Sequence, residues 1–332
     1  MKRGENREIT PGWVMTVLAV LLYVVVLAAV IGVVGRIVSH KKSSPEASVS
    51  AENSLTVEES GPDVSTDTAQ SETSAPAQEE AGTTVPGTYR PVSGGVPVSN
   101  LAAEDDPYPA LYVQMQEKSD DNTRKYIYLT FDDGPSDNTD KILEILDQYD
   151  VKAAFFVSGQ YGTQEERGER YRKILEEGHT LGLHTYSHSY DKIYQSVDSF
   201  LADLNEINEE VYAATGYQAN LIRFPGGSQN SHNKNICMRL AKEMTRRGYT
   251  YHDWAVSCGD AEGKELSPEQ VMRETADECL KRTKSVVLFH DTPAQTSTVE
   301  ALGGLIEELR GEGYEFRQLD GSIRPFQFQK VD

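Results

Sequence analysis

From about Asn122 onward, short apolar runs rich in β-branched and aromatic residues alternate with amphipathic stretches. The runs Tyr126–Phe131, Ala153–Ser158, His179–His184, Asn220–Phe224, Tyr249–Trp254, Ser285–His290 and Tyr314–Leu319 predict strands. Between them, Ile142, Ile145, Leu146 and Tyr149 recur at helical spacing. A second helical pattern opens at Ser196, a capping residue, and stops at Gly216. Two more run over Asn233–Gly248 and Ser267–Arg282, the latter with Pro268 at the first helical position. Such alternation predicts an α/β domain, a parallel sheet covered by helices. Two closures compete, a (β/α) barrel of about seven strands and an open doubly wound sheet, and periodicity does not separate them. In a barrel, chemistry gathers where strands run into the following loops.

Upstream the pattern changes. Val14–Val34 carries no charged side chain. At about 1.5 Å per residue this run reaches about 32 Å, enough to cross a bilayer core. Lys2, Arg3 and Arg7 precede it and Arg36, Lys41 and Lys42 follow, so flanking charge alone orients it weakly. Its place at the N-terminus and the acidic segment beyond favour a cytoplasmic N-terminus over 1–12, a transmembrane signal-anchor over 13–38 and everything later outside the cell. A cleaved signal peptide is the rival reading, but the run is long for one and no small-residue cleavage site follows. Residues 39–121 are rich in Ser, Thr, Pro and Glu, without sustained period, and are expected to form a disordered stalk. The folded domain is expected over 122–322, with a C-terminal tail over 323–332.

The chain has 332 residues and a formal net charge of -20, much of it in the stalk. That balance argues against nucleic acid as a partner, because phosphate binding needs clustered Lys and Arg. The three cysteines, Cys237, Cys258 and Cys279, form neither a disulfide framework nor a metal-binding spacing. They read as three buried or inert thiols; one bridge among them is possible but not legible in the sequence.

Several predicted strands end in polar groups. Strand one ends in Thr130-Phe131-Asp132-Asp133-Gly134-Pro135, two adjacent carboxylates entering a sharp turn. Neighbouring side chains there point different ways, so one can hold a metal while the other acts as base. Strand three ends in His184-Thr185-Tyr186-Ser187-His188, and two His at i and i+4 share one face of a helical turn. An Asp with two His makes a facial three-ligand set for a divalent cation such as Zn2+. Strand four ends in Arg223-Phe224-Pro225-Gly226-Gly227, where an Arg can keep a carboxylate ionised and a Gly-Gly loop admits a ligand close to the backbone. Leu288-Phe289-His290-Asp291 adds an imidazole at the same rim.

Together, and in this order, TFDDGP, HTYSH, RFPGG, Asp253-Trp254 and LFHD resemble the five motifs of the polysaccharide deacetylase family, also called NodB-homology or carbohydrate esterase family 4. KAAFFV at Lys152–Val157 is similar to the family's second strand, and the resemblance covers about Tyr126 to Leu319. It implies a distorted (β/α) barrel with a divalent metal, usually zinc, with cobalt, manganese and nickel as alternatives. By the same resemblance Asp133, His184 and His188 bind the metal, Asp132 is the general base, Arg223 orients it and His290 is the general acid. Leu288 and Trp254 line the pocket for the acetyl methyl, the Gly226 N–H helps hold the oxyanion, and Asp253 belongs to the substrate-binding set. Two positions depart from the pattern. Thr250 stands where the family usually has an Asp that helps hold the Arg and tune the acid His, leaving either a less basic His290 or a substitute in Asp260. Gly226 stands where a Tyr often follows the Pro.

The function implied is hydrolytic removal of N-acetyl groups from a polysaccharide. A stalked anchor places the domain beside its own envelope, which points to peptidoglycan amino sugars; chitin oligomers or xylan are alternatives, as is a catalytically weak carbohydrate-binding homologue. The oligomeric state is not legible.

Overall fold

The computed structural model describes residues 101–119 and 123–331. The apolar run of the expected signal-anchor and residues 39–100 of the expected stalk lie outside the described residues. Among those described, no helix is long and apolar enough to cross a membrane.

Each of the seven expected runs contains a strand, and one further strand appears. They are β1 (Tyr126–Asp132), β2 (Ala154–Val157), β3 (Thr180–Leu183), β4 (Leu221–Ile222), β5 (Thr250–Tyr251), β6 (Val256–Ser257), β7 (Lys284–His290) and β8 (Glu315–Phe316). The helices are α1 (Thr139–Gln148), α2 (Gln164–Glu176), α3 (Tyr190–Ile193), α4 (Val197–Thr215), α5 (Cys237–Arg246), α6 (Pro268–Cys279) and α7 (Thr296–Gly311). Local chemistry explains their ends. Ser267 and Gln270 form a reciprocal capping box before α6, with Pro268 in the first turn. Ser196 caps α4, and Gly216 closes it at φ 69°, a left-handed conformation that costs glycine little.

Every pairing is parallel, and the strand order is β5-β4-β3-β2-β1-β7-β6. β7 pairs with β1 along its whole length, so β2 and β8 must share the other edge: β2 takes Thr130–Asp132 and β8 takes Tyr126–Ile127. The two end strands, β5 and β6, are consecutive in sequence. Laid flat, the seven strands in that order would set their outer members about 29 Å apart, at about 4.8 Å per step. The chain from Tyr251 to Val256 reaches at most about 17 Å at about 3.4 Å per residue. The sheet therefore curls into a distorted (β/α) half-barrel, deciding between the two closures.

The open side between β5 and β6 is stitched by the C-terminal segment. Asp253 N–H donates to the Phe326 carbonyl at 2.7 Å, and the Tyr251 hydroxyl donates to the Gln329 carbonyl at 2.6 Å. Residues 323–331 are thus part of the wall rather than a tail. The stalk boundary at 121 is corrected as well. Leu111, Tyr112 and Val113 are buried, Val113 N–H donates to the Arg247 carbonyl at 2.9 Å, and Arg247 pairs with Asp106 at 2.8 Å. Gly248 (φ +90°) sits under this segment, where a Cβ would lie 1.8 Å from the Val113 oxygen. The three cysteines are free and buried.

Strand parity divides the core. Ile127, Leu129 and Phe131 join the large cluster beneath the helices, while Tyr126, Tyr128, Ala154, Phe156, Leu221 and Val286 fill the barrel. Successive strand residues face opposite sides. The inward parity therefore continues to Asp132 on β1, His184 after β3, Arg223 after β4, Trp254 after β5 and His290 on β7.

Candidate active site

β1 and β7 pair in a register that sets Asp132 opposite His290 and Thr130 opposite Leu288. Asp132 is buried, and Arg223 reaches it from across the barrel: Nη1 donates to Asp132 Oδ1 at 2.7 Å and to Thr130 Oγ1 at 2.8 Å. The rest of the guanidinium is fixed by Nε to the His252 carbonyl at 2.8 Å and Nη2 to the Asp253 carbonyl at 3.2 Å, over the Phe156 ring at 4.3 Å. Burial raises the Asp132 pKa above the ordinary carboxylate value, and the Arg223 charge opposes that rise. Asp133 has φ 74°, a left-handed backbone that turns the second carboxylate away from the first. Gly134 is needed next to it, since a Cβ there would lie 2.3 Å from Asp291 Oδ2. Asp291 in turn accepts hydrogen bonds from the Ser136 and Thr139 hydroxyls and holds the turn; burial pushes its carboxyl up to about 6.

The two imidazoles come from a loop, which corrects the expected helical turn. Residues 184–189 are not helical; α3 starts at Tyr190. Thr185 and His188 instead take positive φ of 68° and 49°. The buried Asp203 of α4 holds this strained segment, accepting from the Tyr186 and Ser187 N–H groups at 2.8 Å each and from the Ser187 hydroxyl at 2.6 Å. His184 Nδ1 lies 2.8 Å from the Arg223 carbonyl oxygen, which can only accept, so Nδ1 carries the proton and Nε2 keeps its lone pair. Burial, then the neighbouring His188, pulls His184 down to about 3, keeping it neutral.

Asp133 Oδ1 lies 3.3 Å from His188 Nε2 and 3.5 Å from His184 Nε2. Donors about 2.1 Å from one ion at a near-tetrahedral angle stand about 3.4 Å apart. Asp133 Oδ1 is buried without a hydrogen-bond partner among the described residues. Three converging donors, one of them a neutral imidazole and one an orphaned carboxylate oxygen, fit a divalent cation.

On the facing side, His290 Nδ1 lies 2.7 Å from Asp260 Oδ1, and His290 N–H donates to Asp260 Oδ2 at 3.0 Å. The Thr298 hydroxyl donates to the same Oδ2 at 2.8 Å. Burial alone would lower the His290 pKa; the Asp260 hydrogen bond and charge, with Asp132 and Asp133 behind, lift it to about 9. Of the two possibilities left by Thr250, the structure places Asp260 on the imidazole. Thr250 itself accepts from Lys118 Nζ.

The polysaccharide deacetylase family model matches residues 119–251. YheN of Bacillus subtilis, which carries the polysaccharide deacetylase name, is 32% identical over 220 residues, 65% of this chain and 75% of that protein. The catalytic domain of the peptidoglycan N-acetylglucosamine deacetylase from Eubacterium rectale is similar at 37% identity and a TM-score of 0.60, over 65% of this chain and 98% of that one. The chain belongs to the polysaccharide deacetylase family. It is a hydrolase of carbon–nitrogen bonds other than peptide bonds. A Streptococcus mutans esterase of carbohydrate esterase family 4 shares the fold at 28% identity and a TM-score of 0.54, over 60% of this chain and 87% of that one.

The deacetylase cleft has a volume of about 280 Å³ and brings together Asp132, Asp133, His184, His188, Gly226, Trp254, Leu288 and His290. Arg223 lies behind its wall, touching Asp132. Asp253 does not line the cleft: its carboxylate accepts from Ser228 N–H at 2.7 Å, the Ser228 hydroxyl at 2.5 Å and Phe328 N–H at 2.6 Å. The expectation that it binds substrate is replaced by one of bracing the wall. Sequence reasoning missed Tyr190, Ser257 and Glu262 in the lining, and Asp203 behind it. Tyr190 follows the second His by two residues, and its hydroxyl lies 2.9 Å from where a Gly226 Cβ would be, so glycine at 226 makes room for that ring.

Proposed function

We propose that this deacetylase removes N-acetyl groups from amino sugars of peptidoglycan outside the cell, held to the membrane by residues 13–38. The observation that carries the chemistry is convergence: the three-donor set, the Asp132–Arg223 pair and the His290–Asp260 pair open onto one cleft. Support for peptidoglycan comes from the Eubacterium rectale domain and from the peptidoglycan-N-acetylmuramic acid deacetylase of Bacillus subtilis, 28% identical over 81% of its length. Support for location comes from the apolar run and its acidic follower.

Asp133, His184 and His188 would hold a divalent cation, zinc in the first instance. When bound, it supplies Lewis acidity, lowering the pKa of water and polarising the acyl oxygen. Asp132, held by Arg223, takes a proton from the attacking water as the water oxygen bonds to the acyl carbon. Gly226 lines the cleft, and its N–H would be the backbone donor for the developing oxyanion. His290 presents Nε2 to the cleft because Nδ1 is bound by Asp260, and Nε2 gives its proton to the leaving nitrogen as the carbon–nitrogen bond breaks. Acetate and the free amine of the sugar are the products. Leu288 and Trp254 enclose the acetyl methyl. Acetate release by the purified chain on peptidoglycan fragments, chitin oligomers and acetylated xylan tests this reading. Release from peptidoglycan fragments above the other two is expected; release from none would sink it.

A further inference from the structure

Phe328 is 45% exposed, yet its backbone is held at both ends. Its N–H donates to the buried Asp253 carboxylate at 2.6 Å, and the next N–H, of Gln329, donates to the Ser228 hydroxyl at 2.9 Å. Its ring meets Trp254 edge to face, with centroids 5.0 Å apart at 79°. Trp254 already lines the cleft. Gly227, beside Gly226, has φ +88°, and a Cβ there would come within 3.0 Å of Phe328 and 3.2 Å of Trp254. Glycine thus leaves room for both rings beside the cleft. Phe328 thus stays nearly half exposed to water on a pinned backbone, while packing against a residue that lines the cleft. The ring faces of Trp and Phe suit the C–H faces of a pyranose.

We propose that Phe328 and Trp254 form a second sugar subsite, taking the pyranose next to the one deacetylated on the same glycan chain. This rests on the deacetylase reading above for its class of ligand. The buried Asp253–Ser228 pair positions the subsite by fixing the C-terminal segment against the cleft rim.

The test is the dependence of affinity on chain length. N-acetylglucosamine and its linear pentamer are titrated calorimetrically into the full chain carrying Asp132→Asn, which slows turnover, with and without changes at Phe328. Phe328→Ala should lower the ratio of pentamer to monomer affinity by roughly 3–10-fold, the scale of one aromatic contact. Phe328→Tyr, which keeps the ring face, should retain the ratio. Phe328→Leu keeps bulk without a flat ring, and should lose the ratio even if the Ala variant does not fold. An unchanged ratio in the Ala or Leu variant, or an equal loss in Tyr, overturns the subsite. Acetate release by the unaltered chain is measured separately. Length-dependent affinity without release would remove the deacetylase reading and support the subsite; release with an unchanged ratio would do the reverse.

Discussion

Asp260→Asn isolates the acid side of the site. Asn keeps the size of Asp and an acceptor oxygen, so the hydrogen bonds from His290 N–H and the Thr298 hydroxyl can persist. The negative charge beside Nδ1 is lost. His290 is held at about 9, against an ordinary value of 6.5. Without Asp260, burial is left to pull it to the ordinary value or lower. The acid form exists below the pKa and is lost as pH rises through it. At pH 8 an imidazole at about 9 is roughly nine-tenths protonated, whereas one at about 6.5 is roughly 3% protonated. The variant should therefore keep roughly one-thirtieth of the acid form at pH 8, with a smaller deficit at pH 6. The assay is kcat/KM for acetate release from pH 5 to 10, whose alkaline limb should move down by about 2.5 pH units or more. Stability gives a second reading. A raised folded-state pKa stabilises below the unfolded value and ceases to do so above about 9, so the Tm loss in Asp260→Asn should be larger at pH 6 than at pH 10. Superimposable pH–rate profiles for the two proteins would refute the argument, because the charge of Asp260 would then have no hold on the acid.

The adjacent carboxylates should separate by role. Asp132→Asn should lower turnover by roughly 10²–10⁴-fold with metal content retained, whereas Asp133→Asn should lose metal and recover partly in excess metal; equal losses of Tm without that split would reduce both to turn-formers. Chelation should abolish turnover, with about one divalent cation per chain by elemental analysis, and indifference to chelators would remove the metal site. Asp203→Ala should weaken metal binding roughly 10–100-fold in direct titration, the usual effect of losing a group that orients ligands; unaltered affinity would show that the loop holds itself. In cells stripped of wall, external protease should reach a C-terminal tag and spare the N-terminus, and a protected C-terminus would overturn the topology.

The strands were legible because each is a short apolar run, and α1 and α4 because their stripes recur at helical spacing. α2 was not assigned: its buried face includes Arg167 and Gly168, so the apolar period is broken. Arg167 is buried there by pairing with Glu210 of α4 at 2.6 Å, a tertiary partner invisible to local pattern. α7 has a clear stripe but no side-chain cap at Gln295, so its start carries no signal. β6 was hidden because an apparent single run, Tyr249–Trp254, ends one strand, after which the chain crosses the open side of the barrel. At the site, residues adjacent in sequence were readable as motifs. Asp203, which holds the His loop, stands alone in sequence, and only folding brings it to its partners; Asp260 was open in sequence only as one of two alternatives, and folding places it on His290.

Arg223 shows why the site does not divide into independent parts. Its side chain binds Asp132, the proposed base, while its own carbonyl fixes the tautomer of the metal-ligand candidate His184. The same guanidinium holds the carbonyls of His252 and Asp253, just before Trp254. One residue therefore sets the proposed base, a candidate ligand and the wall proposed for the acetyl group. Arg can do this because its planar fork reaches several acceptors at fixed angles, which the single ammonium of Lys cannot copy. The arrangement is also buried, so removing the guanidinium would leave the Asp132 carboxylate charged in a low-dielectric core or force it to take up a proton. The second outcome disables the proposed base, which must be ionised to accept a proton; the first leaves it ionised but without its positioning partner. Placing Arg223 on the strand parity that faces Asp132 is thus the step by which a pattern of alternating residues becomes a reactive group.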